Sequence, residues 1–214
     1  NIIGSVFKRS PDGRIVVDAT GNYQTADKVQ VLGNIQPDML GGLTNSFSFK
    51  GFELRALIDA RIGGEVYSRS KQDQWQKGTG VGTADPGNYI VDGVIEQDDH
   101  SYIENTIKIT RMEMFANRGW GNMGEEFVLD ATTISLREVS LAWGIKPRFL
   151  NNAVKSIKIS LVGRNLAFLY RTKEFAEMGI SAESSFAPTA AAQGFESRSL
   201  PITRSLGLNL NLTF

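Results

Sequence analysis

Ser205-Leu206-Gly207-Leu208-Asn209-Leu210-Asn211-Leu212-Thr213-Phe214 ends the sequence in strict alternation. Leu206, Leu208, Leu210, Leu212 and Phe214 share one phase, and Ser205, Gly207, Asn209, Asn211 and Thr213 share the other. Successive side chains of an extended strand point to opposite sides, so this spacing predicts a strand with one apolar and one polar face. The stretch has the length of a bilayer-crossing strand, roughly 9–11 residues. A closing strand that turns apolar residues outward and polar residues inward, with an aromatic at the membrane edge, is what an outer-membrane barrel requires. A soluble β-sandwich that lays its Leu face on a core carries the same pattern. The stretch by itself leaves both readings open.

Composition narrows the function classes. The chain of 214 residues suits one large β domain or part of something bigger. Its formal net charge is zero, which gives no footprint for nucleic acid. It has no cysteine, and His100 is its one histidine, so thiol chemistry and a multi-histidine metal site are both excluded. No apolar run reaches the ~18 residues of a membrane helix, which says nothing against a barrel wall that alternates. The sequence opens on Asn1-Ile2-Ile3-Gly4, without Met or a signal stretch, and reads as the tail of a longer polypeptide.

The same alternation recurs upstream. Ser10-Pro11-Asp12-Gly13 is a turn signal that should fold Arg14–Asp18 into a hairpin. Strands are expected at about 43–50 and 52–62, joined by Lys50-Gly51. In the second of these, Phe52, Leu54, Ala56, Ile58 and Ala60 oppose Glu53, Arg55, Asp59 and Arg61. Burying such a charged face unpaired is expensive, so it should meet solvent or a watery lumen. A long polar region follows, to about 131, with a helix expected around Glu104–Asn117. The next strand, 133–145, changes phase after Arg137-Glu138, the mark of a β-bulge. Lys146–Asn152 is a short turn, 156–169 a fourth strand, 171–200 a second long loop and 202–214 the closing strand. Long and short connections therefore alternate, as for strands running up and down through a slab with elaborate loops on one side. The predicted fold is all-β, a transmembrane antiparallel β-barrel segment with long extracellular loops.

Three ordered stretches carry a family resemblance. The first runs from Gly33-Asn34-Ile35-Gln36-Pro37-Asp38 through Leu43-Thr44-Asn45-Ser46-Phe47 to Arg61-Ile62-Gly63-Gly64. The second runs from Ile134-Ser135-Leu136-Arg137-Glu138 to Val162-Gly163-Arg164-Asn165-Leu166. The third is Gly194-Phe195-Glu196 with Leu200-Pro201-Ile202-Thr203-Arg204-Ser205, closing at Phe214. Together they resemble the carboxy-terminal fifth or so of SusC/RagA-type TonB-dependent outer-membrane transporters of Bacteroidota. The resemblance implies the last wall strands of a plugged barrel of about 22 strands, placed in the cell outer membrane. It also implies import of an oligosaccharide or peptide, a SusD-like surface lipoprotein as lid, and coupling to the TonB complex through a plug and TonB-binding segment absent from these residues. Phe214, with Leu206, Leu208, Leu210 and Leu212, would then serve as the closing-strand signal for barrel assembly and face lipid.

The remaining candidates have a sharp and a bland reading. Trp75, Tyr89, Tyr102 and Trp120 either contact substrate or a partner protein or form a small core within the long loop. Glu53, Arg55, Asp59, Arg61 and Lys158 are expected to face the lumen and pair with one another or with the plug. Trp143, Phe149 and Phe49 suit an interface girdle. Asp98, Asp99 and His100, with Asp85, Asp92 and Glu96 nearby, lack the convergent oxygen spacing of a calcium loop and read as a solvated acidic loop. No catalytic, cofactor-binding or metal constellation is present, so no enzyme and no cofactor are expected. The alternative from another class is a soluble or secreted β-sandwich that binds a ligand through its loop aromatics.

Overall fold

The computed structural model describes residues 1–81, 83, 89–115, 124–147, 154–183 and 193–214. The chain divides into two compact units, one comprising residues 37–63, 131–172 and 200–214 and the other residues 1–36, 64–130 and 173–199.

The first unit is one five-stranded sheet. Its strands are β1 (Met39–Phe49), β2 (Phe52–Ile62), β3 (Thr133–Ile145), β4 (Ser156–Arg171) and β5 (Ser205–Thr213). They lie side by side in chain order, and every neighbouring pair is antiparallel. β1 starts earlier than the alternation becomes regular, because Gly41 and Gly42 hide the pattern without breaking the ladder. β5 starts at Ser205, after Pro201, whose missing N–H bars it from a ladder.

Two devices set the register. Lys50 and Gly51 close the β1–β2 turn with positive φ of 46° and 85°, the two-residue geometry whose twist matches that of the strands it joins. A side chain at position 51 would have its Cβ 3.0 Å from the Gly144 carbonyl oxygen. The backbone meets there instead: the Gly144 N–H donates to the Gly51 carbonyl at 2.8 Å. The second device is the bulge in β3. Pairing with both neighbours shifts between Leu136 and Glu138; against β2, Arg137 is the extra residue, and against β4 it faces two residues, Asn165 and Leu166. The shift puts Ile134 and Leu136 on the same face as Val139, Leu141 and Trp143.

The second unit is built from shorter pieces. Ile2–Gly4 pairs with Gln30–Gly33. Glu65–Ser68 lies between Phe195–Glu196 and Val128–Asp130. Val16–Val17 pairs with Val94–Glu96, itself paired with Tyr102–Glu104. Among the described residues it also holds the helices α1 (Arg69–Lys77), α2 (Arg111–Phe115) and α3 (Lys173–Met178). The Ser10–Gly13 turn closes as its sequence predicts, with the Gly13 N–H on the Ser10 carbonyl at 2.8 Å and Arg9 bridging Ile15. The segments after Gly63 and Arg171, expected as long loops, thus hold their own secondary structure. Buried clusters among the described residues are Phe7 with Phe115 and Phe127, and Val17 with Val91 and Ile109.

The helix expected around Glu104–Asn117 is much shorter. Glu104 ends a strand, and Ile109 makes an isolated bridge to Tyr89. The helix waits for a capping box at Thr110: Thr110 Oγ1 accepts from the Glu113 N–H at 3.3 Å, and the Glu113 carboxylate accepts from the Thr110 N–H at 2.7 Å. Asn117 lies outside the described residues.

One buried carboxylate ties distant segments of this unit together. Glu196 has no exposed surface. Its oxygens accept from Ser68 Oγ and Ser70 Oγ, both at 2.6 Å, and from the Ser199 N–H at 3.1 Å. Ser68 is also the N-cap of α1, accepting from the Lys71 N–H at 3.1 Å. Beside it, Asp73 holds Arg69 at 3.1 Å and Arg198 at 2.8 Å. Burial opposes the charge on Asp73, but the Arg198 hydrogen bond and the Arg69 charge prevail and hold its pKa below the ordinary value.

Buried donors left without an acceptor cost about 1–3 kcal/mol each. Glu196→Ala should therefore weaken the clamp by about 2 kcal/mol or more, read as roughly 30-fold faster amide exchange over residues 65–77 and 195–199. Unchanged exchange there would show that the carboxylate is incidental.

Candidate functional site

The five-stranded sheet presents two chemically opposite faces. One register row reads Phe47, Leu54, Leu141, Leu161 and Leu208 across the strands. The row nearer the β1–β2 turn reads Phe49, Phe52, Trp143, Ile159 and Leu210. Phe52 and Trp143 stack with ring centroids 5.6 Å apart. This face is exposed on every strand: Phe49 keeps 71% of its surface open, Leu161 60% and Leu206 84%. Leu208, Leu210, Leu212 and Phe214 are exposed too.

The opposite face is polar. Between those two rows runs Ser48, Glu53, Ala142, Ser160 and Asn209. Lys158 on β4 reaches over β3 to Glu53 on β2, Nζ to carboxylate at 2.7 Å. The residues beneath that bridge are small, Ala142 and Gly144, and Ala142 is buried. Arg164 pairs with Glu138 at 3.0 Å, and the bulge residue Arg137 pairs with Asp59 at 3.0 Å. Arg55 and Arg61 share this face by register. All five charged residues singled out in the sequence therefore lie on one face. Arg137, Glu138 and Arg164 join them, and the bulge is what brings Arg137 to Asp59. That pairing was not legible, since it depends on an extra residue whose side is set by the fold.

The loop aromatics are placed differently. Trp75 and Tyr89 both pack edge-on against Phe115, with centroids 5.2 and 5.3 Å apart, as partly buried members of the Phe7–Phe115–Phe127 cluster. Tyr102 is half-buried opposite Glu96. Trp120 lies outside the described residues, as do Phe149 and Asp85. Trp75 also borders a cavity of about 270 Å³ between α1 and α3. In the acidic loop Glu96 is engaged by Lys8 at 2.7 Å and by His100 at 3.2 Å. Among the described residues no three acidic or histidine side chains are grouped as a metal site would require. The Glu196 clamp was missed by sequence reasoning. Its only local signal was the N-cap serine of α1, since its two halves lie far apart in the chain.

No family model matches the chain. Two curated relatives do, both from Formosa agariphila. TonB-dependent receptor P39 is 24% identical over 194 residues, 90% of this chain and 18% of the relative. TonB-dependent receptor P3 is 23% identical over 159 residues, 73% of this chain and 14% of the relative. The chain thus spans less than a fifth of the length of these relatives. Among solved structures, the RagAB peptide importer in its closed-closed state superposes on all of this chain and 23% of its own, with a TM-score of 0.61 at 14% identity. The open-open state gives a TM-score of 0.60 at 13% identity, again over all of this chain and 22% of its own. The relatives are receptors and transporters rather than enzymes. With an open sheet of alternating faces and the fold of a portion of the RagAB importer, the chain is a stretch of antiparallel β-barrel, and over most of its length its sequence resembles TonB-dependent receptors.

Proposed function

We propose that this chain supplies wall strands and folded outer loops to an importer that carries oligosaccharide or peptide across the outer membrane. A SusD-like surface lipoprotein lids the barrel. The TonB complex drives transport through a plug segment elsewhere in the transporter. The names of the relatives, TonB-dependent receptors and a peptide importer, support this reading. Leu206, Leu208, Leu210, Leu212 and Phe214 face lipid, and Glu53, Arg55, Asp59, Arg61 and Lys158 face the lumen. Phe49, Phe52 and Trp143, beside the short turn, stand at the headgroup level that amphipathic and aromatic rings favour.

One observation carries the reading: a single sheet exposes an apolar face on every strand while its other face pairs its charges. Roughly a dozen large apolar side chains lie open on that face, and burying each is worth about 1.5–3 kcal/mol. That sum exceeds the roughly 5–15 kcal/mol by which a domain is stable. Lipid removes the face from water without a second sheet. A soluble β-sandwich would have to cover it, and the exposure of Leu206 and Leu161 argues against that alternative.

The two faces should respond oppositely to charge. Leu208→Arg should cost about 2–4 kcal/mol at the bilayer midplane and block barrel assembly, while Asn209→Arg is tolerated. Heat-modifiable migration of the barrel from isolated outer membranes reads both, and equal tolerance would refute the lipid-facing assignment. Lys158→Met should leave stability nearly unchanged, because the pair is half exposed. A larger loss in urea unfolding would mean that the bridge is buried in the assembled barrel. Transport itself is tested by uptake of labelled peptides and oligosaccharides in cells with and without a working TonB; uptake independent of TonB would overturn the proposal.

A further inference from the structure

The cavity between α1 and α3 has a lining that the wall does not explain. Phe175 is fully buried and anchors α3. Glu174, Glu177 and Met178, at positions i, i+3 and i+4, share the face that borders the cavity. Across from them α1 offers Lys71 and Trp75. The indole is held on two sides, by Phe115 at 5.2 Å and by the backbone of Gly80, where an added Cβ would lie 2.8 Å from its Cδ1. The Glu196 clamp fixes the start of α1, and Ser68 Oγ lies 3.8 Å from Met178 Sδ. The cavity is therefore pre-formed by residues packed for other reasons.

Its chemistry has three parts. Trp75, Val81 and Met178 give an apolar patch. Lys71 and Lys173 bring positive charge, Lys71 with its Nζ on the Glu126 carbonyl at 2.9 Å. Glu174 and Glu177 bring negative charge. Lys173 and Glu177 are only loosely paired at 3.7 Å, and Glu174 makes no hydrogen bond or ion pair among the described residues. Burial pushes the Lys71 pKa down, and the charges of Glu126, Glu174 and Glu177 oppose it. At about 270 Å³ the space falls just below the pockets of drug-sized ligands, about 300–1,000 Å³. A ligand with an ammonium, a carboxylate and a small apolar side chain satisfies all three parts.

We propose that this cavity is a binding site for a zwitterionic amino acid or dipeptide. Glu174 and Glu177 take its ammonium, Lys173 its carboxylate, and Trp75 with Met178 its side chain. The site gives the importer a place to hold peptide. That purpose rests on the transport reading, but the binding chemistry does not.

The test is calorimetric titration of the full-length transporter in detergent with the dipeptide Ala-Leu, its N-acetylated amide and maltose. Ala-Leu should bind, and the capped form about tenfold more weakly or worse, because charge-assisted hydrogen bonds are lost at both ends. The double variant Glu174→Gln with Glu177→Gln, which leaves the packed indole in place, should lose about tenfold for Ala-Leu as well. Lys173→Gln should weaken Ala-Leu but not its C-terminal amide. Equal binding of the capped form, binding of maltose alone, or no heat with Ala-Leu at millimolar concentration would each overturn the site. TonB-dependent uptake measured on the unsubstituted transporter separates the two readings. Uptake without Ala-Leu binding leaves the importer standing and removes the site; Ala-Leu binding without any uptake keeps the site and removes the importer.

Discussion

Everything in the wall depends on five strands holding one register. Side chains alternate with period two, so a slip of one residue would turn an entire strand's apolar set to the polar face. Across β1 to β5 one row is apolar throughout, Phe47 through Leu208, and the next, Ser48 through Asn209, is polar apart from the small Ala142. The Lys50-Gly51 turn pins β1 to β2 and, through the Gly144 N–H, to β3. The bulge at Arg137 then absorbs the place where β3 would fall out of phase with β2. β1 and β5 each pair on one side only within this sheet. A wall in lipid must satisfy those edges with further strands, which is why closure and membrane insertion go together.

The polar face works by a different economy. Ion pairs such as Lys158–Glu53 and Arg164–Glu138 are half exposed and individually weak. They do not hold the sheet together. Their effect is selective: a face that carries paired charge meets hydrocarbon only at severe cost, so the pairs set the two faces apart. The small residues under the longest bridge, Ala142 and Gly144, let a β4 lysine cross β3 to reach β2. Removal of side-chain bulk in the middle strand is thus as much a part of the ion pair as the charges are.

The other unit follows soluble-protein physics. It buries aromatic rings such as Phe7, Phe115 and Phe127, and it satisfies an interior carboxylate at Glu196 with hydroxyls and backbone N–H groups instead of a cation. The loop aromatics are divided by it. Trp75 and Tyr89 belong to its core, while one side of Trp75 is left to a cavity. Reading those residues from the sequence could not separate the roles, because an indole that packs and an indole that binds look alike until its neighbours are known. The shortened helix at Arg111 shows the same limit: apolar spacing suggested a longer one, and the Thr110–Glu113 box, a local signal present in the sequence, set its start.

The alternating strands, their two faces, the bulge after Leu136 and the turn at Lys50-Gly51 are all legible along the chain, because each is written in neighbouring residues with a fixed period or a required φ. The charged residues of β2 were legible for the same reason, as their side of the strand follows from parity alone. Tertiary structure alone decided which charges meet. Lys158 finds Glu53 over a neighbouring strand, and Arg137 finds Asp59 because the bulge turns it there. Glu196 finds Ser68 and Ser70, and α3 comes to face Trp75, across segments far apart in the chain. Such pairings depend on the register and path of segments distant in sequence, which no local pattern encodes.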